Sequence, residues 1–416
     1  MTAPLGARHD GTIAKHGAHV RRLERPASQR RGLKHRLRSS VPRLSRFAVE
    51  HLLLLPLGAL IALVWVNTAP ESYYSFTFAI SFLVNDVAMM IFFALMTKEI
   101  VEATAPGGVL HTWRRATLPV IASFGVSVVP ALIYLWAVEA LDEPVLSLGW
   151  PVTLTMDLAF VYFIGRLIFR SHPMIPFLLL LGIAADALGF LVLALSNPLR
   201  EVHPAGGIGI MAGAICIAAG LRWLRVRSFW PYLLGAGSAS WFALFWGGWH
   251  PALALVPIMP FLPHAARDPG FFVDARPDAK DALSQFEIWW RYPGQVALFF
   301  FGLVNAGVPA GALEAGTWGV PIAVIVGKPL GLFIGVGLAL LGGFHLPLRV
   351  GWRELSVGGL IAAIGFSIGL FFCAELFPPG QLRSETSMGV LLTLVAAPLA
   401  IIAAKILGVG RFSKHA

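Results

Sequence analysis

From Val49 onward the chain is a succession of about twelve apolar windows, starting near Val49, Ile80, Thr117, Pro151, Phe177, Gly206, Phe229, Trp246, Val296, Val320, Val357 and Met388. Each has the roughly 20-residue length that carries a helix across a bilayer. Backbone groups have no water to bond in hydrocarbon, so a helix that satisfies its own peptide groups is the form such a window takes. Charged residues make up only 13% of the chain and hydrophobic ones 57%, whereas a soluble domain carries about 25% charge. The expected fold is an all-α polytopic membrane protein with about 12 transmembrane helices.

Charge outside the windows divides the chain further. Residues 1–48 contain segments such as RRLERPASQRRGLKHRLRSSVPRLSR, a basic arm with few bulky apolar residues that reads as disordered. The net charge of +10 does not indicate nucleic acid, because the arm has little aromatic interleaving on which bases stack. Anionic lipid headgroups are the partner it suits, and it is too long and too charged to be a cleavable signal. Assigning alternate loops to opposite sides puts Lys98, Arg114, Arg115, Arg166, Arg170, Arg222, Arg225, Arg227, Arg349, Arg353, Arg411 and Lys414 on one face, with Arg200 and Arg383 as exceptions. By the positive-inside rule that face is cytoplasmic and holds both termini. The domains are then the arm 1–48, a membrane domain 49–408 and a tail 409–416. The polar stretch between the eighth and ninth windows, from His264 to Gln295, reads as a cytoplasmic connector. Cys216 and Cys373 fall in apolar windows, so both are expected to be core packing residues rather than a disulfide.

Three charges interrupt the apolar runs. Asp186 lies within FLLLLGIAADALGFLVLAL, Asp157 within GWPVTLTMDLAFVYFIG and Lys328 within VPIAVIVGKPLGLFIGVGLALL. A charge near the centre of a spanning helix costs roughly 3 kcal/mol on insertion scales, so these groups should face one another or a water-filled cavity. Asp157 and Asp186 are 29 residues apart (186 − 157), which fits consecutive antiparallel helices joined by a turn near Arg170. Two carboxylates in one low-dielectric cavity hold a cation when ionised and protons when not, so the same site exchanges one for the other. The plainer reading is that each acid forms a buried salt bridge or caps a broken helix. Lys328 needs a carboxylate, and either aspartate is the natural partner.

Weaker polar signals are Asn85 and Asp86, placed at the opening of the second window, Glu99 and Glu102 at its close, Asn305 in the ninth and Glu375 late in the eleventh. These read as helix-end or interhelical hydrogen-bonding groups, with Glu99 a candidate for an access funnel. His250 follows a GGW turn, where a histidine is either a packing residue or a pH sensor. The chain contains no GxxxxGK[ST], GxGxxG after a strand, HExxH or CxxC. No cofactor is implied, and a secondary transporter is expected rather than an enzyme or an ATP-driven pump.

The segments LVNDVAMMIFFALMTKEI, ATLPVIASFGVSVVPALIYL, MDLAFVYFIG, IAADALGF, ALFFFGLVNAGV, VIVGKPLGLF and IGFSIGLFF occur in one order from Val49 to Gly408, and in that order the chain resembles the NhaA-type bacterial sodium/proton antiporters. The resemblance implies inverted repeats with two discontinuous crossing helices, a fold for which the family serves as a standard example. Their breaks would fall at Thr155, Met156 and Asp157 and at Gly365 to Ser367. It further implies a protein of the bacterial inner membrane that exchanges protons for sodium or lithium by alternating access. Asp157, Asp186 and Lys328 would form the cation and proton site, with Asp157 and Asp186 holding the transported sodium. Glu99, Glu287 and His250 match positions of the family's pH-sensing funnel, whereas Ile288 and Arg291 stand where further histidines are expected. Ala187 replaces the second acid of the family's DDLG motif, and that acid is the family's main cation ligand. The resemblance allows a homodimer, although the short stretch between the first two windows leaves little room for the family's dimerising β-hairpin. Two other readings stay open: exchange of another cation or an organic solute, and a transport-dead sensor or scaffold in which Asp186 and Lys328 form only a structural bridge.

Overall fold

The computed structural model describes residues 54–105, 113–170, 172–195, 203–264, 281–347 and 349–413. The basic arm lies outside these residues. Fourteen α-helices occur among them, with no strand: α1 Leu54–Thr68, α2 Pro70–Phe82, α3 Met89–Thr104, α4 Trp113–Ala140, α5 Leu158–Phe169, α6 Met174–Leu195, α7 Pro204–Trp223, α8 Ser238–Gly247, α9 Ala282–Asn305, α10 Gly319–Leu341, α11 Trp352–Ala362, α12 Phe366–Leu376, α13 Gln381–Leu392 and α14 Ala396–Leu407. Six helical stretches are long and apolar enough to cross a membrane. The count reaches eight if each of two bent pairs, 55° between Pro144–Leu154 and α5 and 44° between α11 and α12, is one span.

The apolar windows map onto these elements in order, with local differences. The second window begins earlier than its hydropathy suggests. Pro70 starts α2 directly after α1, because proline suits a first helical turn and Glu71 complements the positive helix end there. Asn85 and Asp86 therefore sit mid-helix, in a π-turn at Leu83–Ala88 that joins α2 to α3, rather than opening a span. The eighth window forms no long helix; residues 251–261 fold as short 3-10 turns with Ala252, Ala254 and Ile258 fully buried. The connector before the ninth window is half helical, since Asp281 accepts from Ser284 N–H and caps α9 at Ala282. Its polar first half sets Glu287 against Lys98 of α3, which hydropathy does not register. Asn305 ends α9 rather than interrupting it. Cys373 is buried as expected, but Cys216 is exposed on α7.

Packing explains how the broken spans are held. α4 and α10 run against each other with Gly125 facing the Gly331 carbonyl and Gly331 facing the Gly125 carbonyl, so closely that a Cβ at either would overlap backbone. That approach carries Lys328, one turn before Gly331, into the interior of the helix packing, where its side chain is completely buried. Phe93 of α3 stacks edge-on against both Phe190 of α6 and Phe371 of α12 at 4.9 Å between centroids. These contacts fix α12 beside α3 and α6, and so position the second break.

Candidate functional site

The two broken spans meet at their breaks. Asp157 N–H donates to the Ile364 carbonyl at 2.8 Å, and Gly365 lies so near the Thr155 carbonyl that a Cβ there would come within 3.3 Å of it. Where each span stops, peptide groups lose their helical partners, and the site is built from how those groups are satisfied. Asp157 is the N-cap of α5: its Oδ1 accepts from Phe160 N–H at 3.3 Å. Its Oδ2 accepts from Ser367 N–H, in the first turn of α12, at 3.0 Å. One carboxylate thus answers the positive ends of two helices.

The opposite end of the first break is answered by Lys328. Its Nζ donates to the Leu154 carbonyl and to the Thr155 carbonyl, each at 3.0 Å, where the 3-10 half-span Pro144–Leu154 ends. Asp186 reaches the same few atoms from α6, its Oδ1 accepting from Met156 N–H at 3.3 Å. The buried Asp186 Oδ2 has no hydrogen-bond partner. The two aspartates and the lysine therefore converge on the peptide segment Thr155–Asp157, as their sequence positions suggest. The pairing differs from the expected one: among the described contacts Lys328 bonds two peptide carbonyls and no carboxylate. The reason is local, because the residues at the end of the half-span are buried and no other described donor serves their carbonyls. Thr155 Oγ1 turns back to the Val152 carbonyl at 3.0 Å, and Gly365 N–H donates to Thr393 Oγ1 at 3.3 Å. Ala187 is exposed beside the buried Asp186.

A cavity of about 170 Å³ runs from Asp157 and Ser367 to a charged cluster at Lys98, Glu99, Glu287 and Arg291. Lys98 is 2% exposed and lies 2.7 Å from Glu102, 2.8 Å from Glu287 and 3.2 Å from Glu99. An ammonium has three N–H donors, and here it meets three carboxylates. Glu99 and Glu287 therefore do come together at the mouth of the cavity. Lys98, read from sequence as a loop cation, is the centre of that cluster. Its i,i+4 spacing to Glu102 was the available signal. His250 lies elsewhere: Nδ1 accepts from Ala252 N–H at 3.1 Å, and Nε2 lies 2.9 Å from Glu375 Oε1. It ties the 3-10 segment to α12, packed on Phe371 at 4.8 Å, and does not line the cavity.

A family model described as Na+/H+ antiporter 1 matches residues 46–407. The chain is 40% identical over 365 residues to a protein of Geotalea uraniireducens named Na(+)/H(+) antiporter NhaA, covering 85% of this chain and 94% of that one. It is 38% identical to a protein of the same name from Geobacter sulfurreducens, covering 85% and 95%. Among solved structures, the sodium proton antiporter MjNhaP1 from Methanocaldococcus jannaschii at pH 8 superposes with a TM-score of 0.55 over 92% of this chain and 98% of that one. At 17% identity that likeness speaks for the fold alone.

Proposed function

The chain belongs to the Na+/H+ antiporter 1 family of multi-pass membrane proteins, and from that membership we propose that it exchanges protons for sodium or lithium by alternating access. The observation that carries the assignment of the site is the convergence of Asp157, Asp186 and Lys328 on one broken-helix crossing at the end of a cavity. Sodium passes the Lys98 cluster and takes Asp157, the carboxylate that lines the cavity. Asp186, with one unengaged oxygen behind the Met156 peptide, carries the proton. Lys328 holds the end of the half-span and supplies the positive charge that keeps two carboxylates tolerable in a buried place. Reorientation about the breaks at residues 155–157 and 363–365 then exposes the loaded site to the other side. The protein sits in the bacterial inner membrane with both termini cytoplasmic and the basic arm against anionic headgroups, as the Lys and Arg distribution of its loops favours.

Proteoliposomes with an imposed proton gradient test this. Sodium or lithium should collapse the gradient between pH 6 and 9, while potassium and small organic cations should not. A chain inert to sodium and lithium but active with another solute would overturn the ion assignment, and one inert to all would leave only a sensor or scaffold. Ala187 replaces an acid of the family motif, so the site holds one carboxylate fewer. Ala187→Asp should raise sodium affinity at least several-fold, or make transport respond to membrane potential where the parent does not. Affinity and potential-dependence both unchanged would mean that position 187 lies outside the ion path.

A further inference from the structure

A second cavity, of about 740 Å³, lies at the other end of the helices that form the first. α9 runs from Glu287 and Gln295 in the first cavity to Asn305 in the second, and α2 with α3 runs from Lys98 back to Tyr73. Thr77, Asn305, Ser384 and Ser387 contribute polar groups to its wall, and among the described residues no aspartate or glutamate lines it. Its one ionised side chain among the described residues is Arg383 of α13, which is partly buried.

A guanidinium is always charged and carries five N–H donors. Among the described contacts that of Arg383 makes one hydrogen bond, Nη2 to Asn305 Oδ1 at 3.2 Å, and the acceptor is a neutral amide. The described ion pairs within 4 Å do not include it. The acids nearest along the chain are bonded or packed elsewhere: Glu375 is bonded to His250 and acts on Arg383 only through space, and Glu385 is buried against Gly316. A partly buried cation with spare donors, no carboxylate in bonding range and a solvent-sized space in front of it can take up a further anion. We propose that this cavity binds an anion with accepting lone pairs on Arg383, either a dissolved monoanion such as chloride or the phosphodiester of an anionic lipid headgroup. Asn305 Oδ1 also accepts from Asn85 Nδ2 at 3.3 Å, and Asn305 Nδ2 donates to Asn85 Oδ1 at 2.8 Å. A bound anion would thus sit one hydrogen bond from the contact that joins the π-turn to α9.

The test uses the full chain in detergent, with N-methylglucamine as the only small cation so that transported ions play no part. Thermal unfolding is followed while chloride replaces a bulky sulfonate at constant ionic strength, and separately while phosphatidylglycerol is added. A saturable rise in Tm of several degrees with chloride that Arg383→Gln abolishes identifies a dissolved anion. The same pattern with phosphatidylglycerol alone identifies the lipid. No saturable rise with either, or one that Arg383→Gln retains, overturns the proposal. Should Arg383→Gln fail to fold, Arg383→Lys keeps the charge but loses the planar fork. It should then show the rise with a half-saturating concentration about tenfold higher, and an unchanged concentration would count against the site.

Discussion

Asp157→Asn is expected to give a protein that inserts and purifies normally yet loses sodium-driven exchange by a factor of about 100 or more. The asparagine keeps one oxygen to accept from a helix end, but its Nδ2 then faces a second N–H donor where Asp157 Oδ2 now accepts from Ser367. Charge-assisted hydrogen bonds are worth roughly 1.5–3 kcal/mol each, so the crossing of α5 and α12 loosens without coming apart. The effect on the ion is larger. A hard cation sits roughly 2.3–2.6 Å from a carboxylate oxygen, and a unit charge at that range contributes about 7 kcal/mol at an effective dielectric constant near 20. The amide dipole recovers part of this, and a residual loss of only about 3 kcal/mol already weakens binding some hundredfold. Exchange measured in proteoliposomes, beside a sodium-protection assay of thermal unfolding, decides the point. Transport within about threefold of the parent at the same half-saturating sodium would make Asp157 a helix cap and nothing more.

Much of this site is legible in the chain because a charge in an apolar window has few places to go. Asp157, Asp186 and Lys328 stand out by cost alone, and the structure gathers all three on the peptides from Leu154 to Asp157. What hydropathy leaves hidden is which partner each takes. Lys328 was expected to meet a carboxylate, yet the broken end of the first half-span presents two buried carbonyls, and orphaned peptide groups are a property of the fold rather than of any residue type. Lys98 illustrates the same limit. In sequence it marks the end of a window on the basic side, whereas in space Glu287 arrives from α9, 189 positions away (287 − 98), to complete its shell. The first half of α9 reads as a connector because Gln285, Glu287 and Arg291 lower its hydropathy, although Ala282, Leu283 and Phe286 on its inner side are buried. The eighth window forms turns rather than a helix although its composition is apolar, and Pro251, Pro257 and Pro260 along it remove the donors a long helix would need.

Lys328→Met should lower thermal stability and abolish exchange, and its pairing with a second substitution separates two roles for the lysine. Methionine matches the length of the side chain but donates nothing, so the Leu154 and Thr155 carbonyls, each now 3.0 Å from Nζ, are left unbonded. An unsatisfied buried group costs about 1–3 kcal/mol, and two cost about 2–6 kcal/mol before the gain from no longer burying an ammonium. The sign is therefore a loss, at roughly 2–4 °C of Tm per kcal/mol. If Lys328 acts chiefly as counter-charge to Asp186, then Asp186→Asn introduced with Lys328→Met should restore stability, because a neutral pair replaces an unpaired acid. If it acts chiefly by holding the half-span, the two losses should simply add, since no bond joins the side chains. Both side chains bind the Thr155–Met156 peptides within one buried site, where neighbouring charged groups do not add, so a coupling of about 0.5–3 kcal/mol in favour of the double variant is expected. Losses that instead add to within about 0.5 kcal/mol would show that Lys328 serves the half-span alone and is not the counter-charge of Asp186.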